Sequence, residues 1–65
     1  MFKNYTHDAR LGTYTHLDDD SIFVTIDRGH VSLHVDHLPM PDVYADLRSA
    51  MTVGHTIAVA CQEAA

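Results

Sequence analysis

The stretch Ile22-Phe23-Val24-Thr25-Ile26-Asp27-Arg28-Gly29-His30-Val31-Ser32-Leu33-His34-Val35-Asp36 decides the fold of this chain. Ile22, Val24 and Ile26 alternate with Phe23, Thr25 and Asp27, and Val31, Leu33 and Val35 alternate with Ser32, His34 and Asp36. A period of two built on β-branched residues marks strands with one buried face. Gly29 between them can take positive φ, which a tight hairpin turn requires. With Arg28-Gly29 as a two-residue loop, Asp27 faces His30, Ile26 faces Val31, Val24 faces Leu33 and Ile22 faces Val35. All six apolar residues then share one face, whereas a slip of one residue would mix the faces.

Upstream, residues 12–17 read as a further strand, joined through the turn Asp18-Asp19-Asp20. A two-residue loop at Asp19-Asp20 places Leu17, Thr15 and Thr13 on the core face. It leaves Tyr14 and His16 beside Phe23 and His34 on the other face. A three-residue loop reverses this strand and buries Tyr14, and the pattern leaves both open. Residues 1–11 carry no clear period and read as a frayed or edge segment.

Downstream, Leu38-Pro39-Met40-Pro41 ends the strand region, because proline cannot donate to a ladder. Its fixed φ suits a helix start at Pro41, with Asp42 favourable in the first turn. At ~100° per residue, Val43, Leu47, Ala50, Met51, Gly54, Ile57, Ala58, Cys61 and Ala65 form one stripe, the mark of an amphipathic helix. The spacing predicts a helix over residues 41–63. An interior glycine costs a helix about 1 kcal/mol relative to alanine, so Gly54 is its weak point. The rival pattern ends the helix near Met51 and makes residues 56–60 a strand, because the stretch after Met51 is rich in β-branched residues. The expected fold is therefore one α+β domain over residues 1–65: a two- or three-stranded antiparallel meander within residues 12–38 and a C-terminal helix on one face.

Composition narrows the function classes. In 65 residues there are four Lys and Arg against nine Asp and Glu, a formal charge of −5 with histidine neutral. The basic residues Lys3, Arg10, Arg28 and Arg48 are scattered, whereas phosphate binding needs a clustered cationic face, so nucleic acid is not an expected partner. No apolar run approaches the roughly 20 residues of a membrane span. The N-terminal residues lack a signal-peptide core, and the expected location is cytoplasmic. Cys61 is the single cysteine, which excludes an internal disulfide and fits a reducing compartment. Small folds without such staples commonly rely on a metal or a second subunit.

Six histidines stand out: His7, His16, His30, His34, His37 and His55. Protonating all six would take the net charge from −5 to +1, so mild acid could reverse the sign of the surface. A zinc site needs three or four donors around one ion. His30 and His34 lie about 13 Å apart along a strand, and His16 and His34, on alternate strands, about 9.6 Å apart. No Cys-x-x-Cys or helical His-x-x-x-His pair is present, so neither a metal nor a cofactor is expected. Catalysis finds no better footing. Cys61 falls on the apolar stripe and reads as a buried structural thiol. Asp27 opposite His30 reads as a local ion pair, with no nucleophile elbow or oxyanion loop nearby.

Two surfaces remain as binding candidates. On the two-residue-loop register, Tyr14, His16, Phe23 and His34 neighbour one another on the sheet face away from the helix, where an apolar cluster marks a partner site. The competing cover is residues 1–10 folding back with Phe2 and Tyr5. The helix stripe also outruns a short sheet, since the 18 steps from Val43 to Cys61 rise about 27 Å against about 20 Å for a six-residue strand. Its far end, Gly54, Ile57, Ala58 and Cys61, is expected to pair with a second copy in a homodimer or higher homo-oligomer.

The layout of residues 22–27, the Arg28-Gly29 turn, residues 31–38 and the Ala-rich segment 42–65 resembles small uncharacterised ββα proteins of actinobacteria and their phages. The resemblance implies a small accessory protein and no activity or site. The expected function is a non-enzymatic interaction module, an inhibitor or adaptor that binds a partner protein. The alternative is a histidine-based metal- or pH-responsive binding protein.

Overall fold

A computed structural model describes residues 4–64 and contains, in chain order, β1 (Tyr5–Asp8), β2 (Thr13–His16), β3 (Phe23–Asp27), β4 (His30–Val35), β5 (Leu38–Pro39) and α1 (Leu47–Ala64). The strands form one antiparallel meander in the order β1-β2-β3-β4-β5, and α1 packs on one face of it. The fold is α+β with more strands than the alternation of residues 12–38 indicated. The described helix is not long and apolar enough to cross a membrane.

The β3–β4 hairpin has the register its alternation dictates: Ile26 faces Val31, Val24 faces Leu33, and Asp27 faces His30. Arg28 and Gly29 both take positive φ, 52° and 79°, which is the type I′ geometry that matches strand twist. Ile22, Val24 and Leu33 are fully buried, and Val31, Ala50, Met51 and Ala58 complete the buried cluster. Each large aliphatic side chain buried this way contributes about 1.5–3 kcal/mol.

Between Tyr14 and Val24 the second of the two registers applies. Thr13 faces Thr25, Tyr14 faces Val24, and Thr15 faces Phe23. The two-residue loop at Asp19-Asp20 is therefore corrected. The Asp19 carboxylate accepts hydrogen bonds from Ser21 N–H at 3.0 Å and Ser21 Oγ at 2.6 Å, and Ile22 N–H donates to Asp19 O at 3.0 Å. This Asx turn brings His16 N–H to Ile22 O, 2.9 Å away, and fixes the shift by one residue. Tyr14 and His16 thus turn towards the helix, away from Phe23 and His34.

Residues 5–8 form an edge strand rather than a frayed end, with Tyr5 opposite His16 and Asp8 opposite Thr13. Phe2 lies outside the described residues, and Tyr5 packs on the helix face, so it does not cover the opposite one. At the other edge Pro39 stands opposite His34, a position where its missing N–H costs nothing. The connecting residues Asp36 and His37 both have positive φ, 54° and 65°, making a second type I′ turn without glycine.

The helix starts at Leu47 and not at Pro41. The Asp46 carboxylate accepts the Ser49 N–H at 2.8 Å, and this cap decides the start over the proline. The hydrogen bond holds the Asp46 carboxyl below the usual carboxylate range. The helix runs unbroken through residues 56–60, so the rival strand does not form. Thr52 and Thr56 return their hydroxyls to the carbonyls of Arg48 and Thr52, at 2.8 and 3.0 Å, which accommodates them within the helix. Ala50, Met51, Gly54 and Ala58 face the sheet, and residues 59–64 are all exposed. Gly54 and Ala58 are consequently covered by the chain's own sheet, and Cys61 is exposed rather than a buried thiol.

Replacing Asp36-His37 by Asn-Gly should relieve the left-handed strain and stabilise the protein by about 0.5–1 kcal/mol. Thermal melting checks this; an unchanged or lower melting temperature contradicts the type I′ turn.

Candidate functional site

The register sorts the chemistry-bearing side chains onto two faces. On the helix side, Tyr5 and His16 are opposite one another at the β1–β2 end of the sheet, where the Tyr5 side chain and His55 of α1 reach towards each other's elements. His16 is only 2% exposed. Its Nδ1 accepts the Asp18 N–H at 3.1 Å, and its Nε2 lies 3.0 Å from His55 Nδ1. The Tyr5 ring meets the His16 ring edge-on, with centroids 5.0 Å apart and planes at 83°. Burial lowers the His16 pKa, the neighbouring His55 adds to the effect, and the carboxylates of Asp18 and Asp19 oppose it.

Gly54 is what lets the helix come this close. A Cβ there would lie 2.6 Å from the Tyr5 hydroxyl oxygen, 3.1 Å from Leu33 Cδ1 and 3.3 Å from Ile22 Cγ2. Without it, the Tyr5 hydroxyl donates to the Met51 carbonyl at 2.6 Å, deep in the helix backbone. Burial pushes the Tyr5 phenol up to about 12, partly offset by the His55 backbone N–H, so it remains a donor across the ordinary pH range. Two residues along the same strands and on the same sheet face, His7 stacks flat on Tyr14 with centroids 4.1 Å apart.

The open face is different in character. Thr6, Thr15, Phe23, His34 and Pro39 form one row across all five strands. Asp8, Thr13, Thr25 and Ser32 form the next. Phe23 stacks on His34 with centroids 4.4 Å apart and planes at 10°, and the His37 ring stands 6.2 Å from Phe23. The row is thus an aromatic pair set among hydroxyls.

Of the four residues read as one patch, then, the structure keeps Phe23 with His34 and moves Tyr14 and His16 to the helix side. Of the four read as a self-association surface, Gly54 and Ala58 are buried against the sheet, Ile57 packs beside the core, and Cys61 is left exposed. The Tyr5–His16–His55 corner was missed because Tyr5 sits in a stretch with no period. The pairing of a lone interior glycine with a distant tyrosine leaves no mark in the sequence. Among the described residues no group of three or more His, Cys, Asp or Glu is arranged to hold a metal ion. None of their buried side-chain nitrogens or oxygens lacks a hydrogen-bond partner. Comparison with protein-family models, curated proteins and solved structures found no match to this chain.

Tyr5→Phe should cost about 1 kcal/mol through the lost hydrogen bond to Met51. Gly54→Ala should destabilise by about 1–3 kcal/mol through overpacking, although helix propensity alone favours alanine by about 1 kcal/mol. The double variant should be more stable than the sum of the two, because the phenylalanine lacks the oxygen that the new methyl meets. Urea denaturation of the four proteins measures this coupling, and strict additivity would contradict the contact.

Proposed function

We propose that this chain is a non-enzymatic protein-interaction module whose contact surface is the sheet face that α1 leaves open. The observation that carries this reading is the Phe23–His34 stack in the middle of that face, with Thr15 and Pro39 flanking it in the same row. An aromatic pair held flat among hydroxyls offers apolar area ringed by hydrogen-bonding groups, the composition of a protein contact patch. Asp8 and Asp27 stand at one end of the face, and the chain carries a net charge of −5. The matching partner is a protein surface with an apolar side chain beside lysine or arginine.

The helix side supports a binding role over a catalytic one. Both ring nitrogens of His16 are engaged, and the Tyr5 hydroxyl is committed to a backbone carbonyl. Neither group is left to serve as a general base or nucleophile. For self-association, expected at Gly54, Ile57, Ala58 and Cys61, we propose instead the helix end at residues 59–64, where Val59 and Cys61 are exposed. Gly54 and Ala58 are covered by the sheet, which favours the exposed end over them.

A photo-cross-linking phenylalanine analogue at Thr25, on the open face, should give a discrete adduct in the source cells. The same analogue at Thr56, on the outer side of α1, should give none. Adding Phe23→Asp should abolish the Thr25 adduct while circular dichroism shows the fold retained. Equal labelling from both positions, or an adduct indifferent to Phe23→Asp, would overturn the assignment of this face.

A further inference from the structure

We propose that the His16–His55 contact is an acid-sensitive latch, joining sheet to helix through a single shared proton and loosening when the pair takes up a second. The direction of the hydrogen-bond chain follows from its backbone end. The Asp18 N–H can only donate, so His16 Nδ1, 3.1 Å away, carries no proton. The proton of the neutral His16 ring is then on Nε2 and points at His55 Nδ1, 3.0 Å away. His55 Nδ1 must accept it, which places the proton of the neutral His55 ring on its own Nε2.

This arrangement has no room for another proton. On His16 it would go to Nδ1 and meet the Asp18 N–H donor to donor. On His55 it would go to Nδ1 and meet the His16 Nε2–H in the same way. Letting a charged His55 donate to His16 Nε2 forces the His16 proton onto Nδ1, which returns the conflict to Asp18. Every protonated form therefore breaks one of the two hydrogen bonds at this corner.

The groups around the pair set the sign of the effect. From β1, Tyr5 presents its ring edge, and its hydroxyl is occupied by Met51. From α1 the titratable neighbour is His55. Immediately before β3 the adjoining residue is the apolar Ile22. The connecting loop contributes Asp18 and Asp19, whose carboxylates favour a charged His16. Asp19 itself is tied to Ser21, with His37 also within its electrostatic reach. Burial and His55 act against the charged ring, and together they depress the His16 pKa. The folded state thus refuses a proton that the unfolded chain accepts at about pH 6.5. Stability is complete above that pH and falls as the pH drops below it. Asp19 and Asp46, both depressed by hydrogen bonds, add their own loss only in the carboxylate range, well below this window.

The inference stands apart from the proposed partner face, since it concerns the opposite side of the sheet. The test uses the full chain, with thermal melting at pH 7.5 and 5.5 and long-range nitrogen–proton spectra of the histidine rings. The wild-type melting temperature should fall by several degrees between the two conditions. His16→Phe, which keeps an aromatic ring in the site, should show little or no fall. His55→Gln keeps an acceptor for His16 Nε2–H and should show a smaller fall than wild type. The ring spectra at pH 7.5 should report His16 protonated on Nε2, which is read without any variant. A wild-type fall matched in full by His16→Phe, no wild-type fall, or His16 protonated on Nδ1 at pH 7.5 would each overturn the latch.

Discussion

At Gly54 the backbone of α1 comes close enough to the sheet for a tyrosine hydroxyl from β1 to bond a helix carbonyl. Tyr5, Leu33 and Ile22 all reach the space that a Cβ would occupy there. The rest of the helix side follows from this approach. It sets the distance at which Ala50, Met51 and Ala58 cover Ile22, Val24 and Leu33. It also brings His55 within 3.0 Å of His16, a pairing that a wider gap would leave to water. The small residues along the helix are the means of this contact. An interior glycine, a cost to an isolated helix, becomes here a condition of helix–sheet packing.

The two faces of the sheet consequently do different work. The helix face is closed, and its polar groups are spent on one another: hydroxyl to carbonyl, backbone N–H to imidazole, imidazole to imidazole. Such buried networks, when fully satisfied, specify one arrangement of the elements. The open face sets the Phe23–His34 stack among the hydroxyls of Thr6, Thr15, Thr25 and Ser32. On the proposed function, a chain of 65 residues holds its fold with one face and presents the other.

How much of this was legible in the sequence depends on where the determining interaction lies. The β3–β4 hairpin could be read directly, because six apolar residues and one turn all agree on a single register. The register of β2 could not, because it is decided by the Asp19 carboxylate closing on Ser21, and three consecutive aspartates offer several equivalent turns. That one-residue shift carries Tyr14 and His16 to the other face and splits the predicted patch. β1 was hidden because Tyr5-Thr6-His7-Asp8 has almost no apolar content, and its anchor is a hydrogen bond to a residue 46 positions away. The helix start was read at Pro41 because proline suits a first turn, whereas Asp46 supplies the cap that the backbone takes. Cys61 lies on the apolar stripe and still ends up exposed, since an 18-residue helix outruns the sheet beneath it.

The central claim is that Gly54 admits Tyr5 to the helix backbone, and a solution measurement reaches it without altering the protein. Nuclear Overhauser spectra at neutral pH should connect the Tyr5 ring protons to both Gly54 Hα protons and to Met51. The hydroxyl proton of Tyr5 should also be slow enough in exchange to be seen. Tyr5 ring protons with contacts only to β2 neighbours, beside a Gly54 lacking any contact to the sheet, would contradict the account.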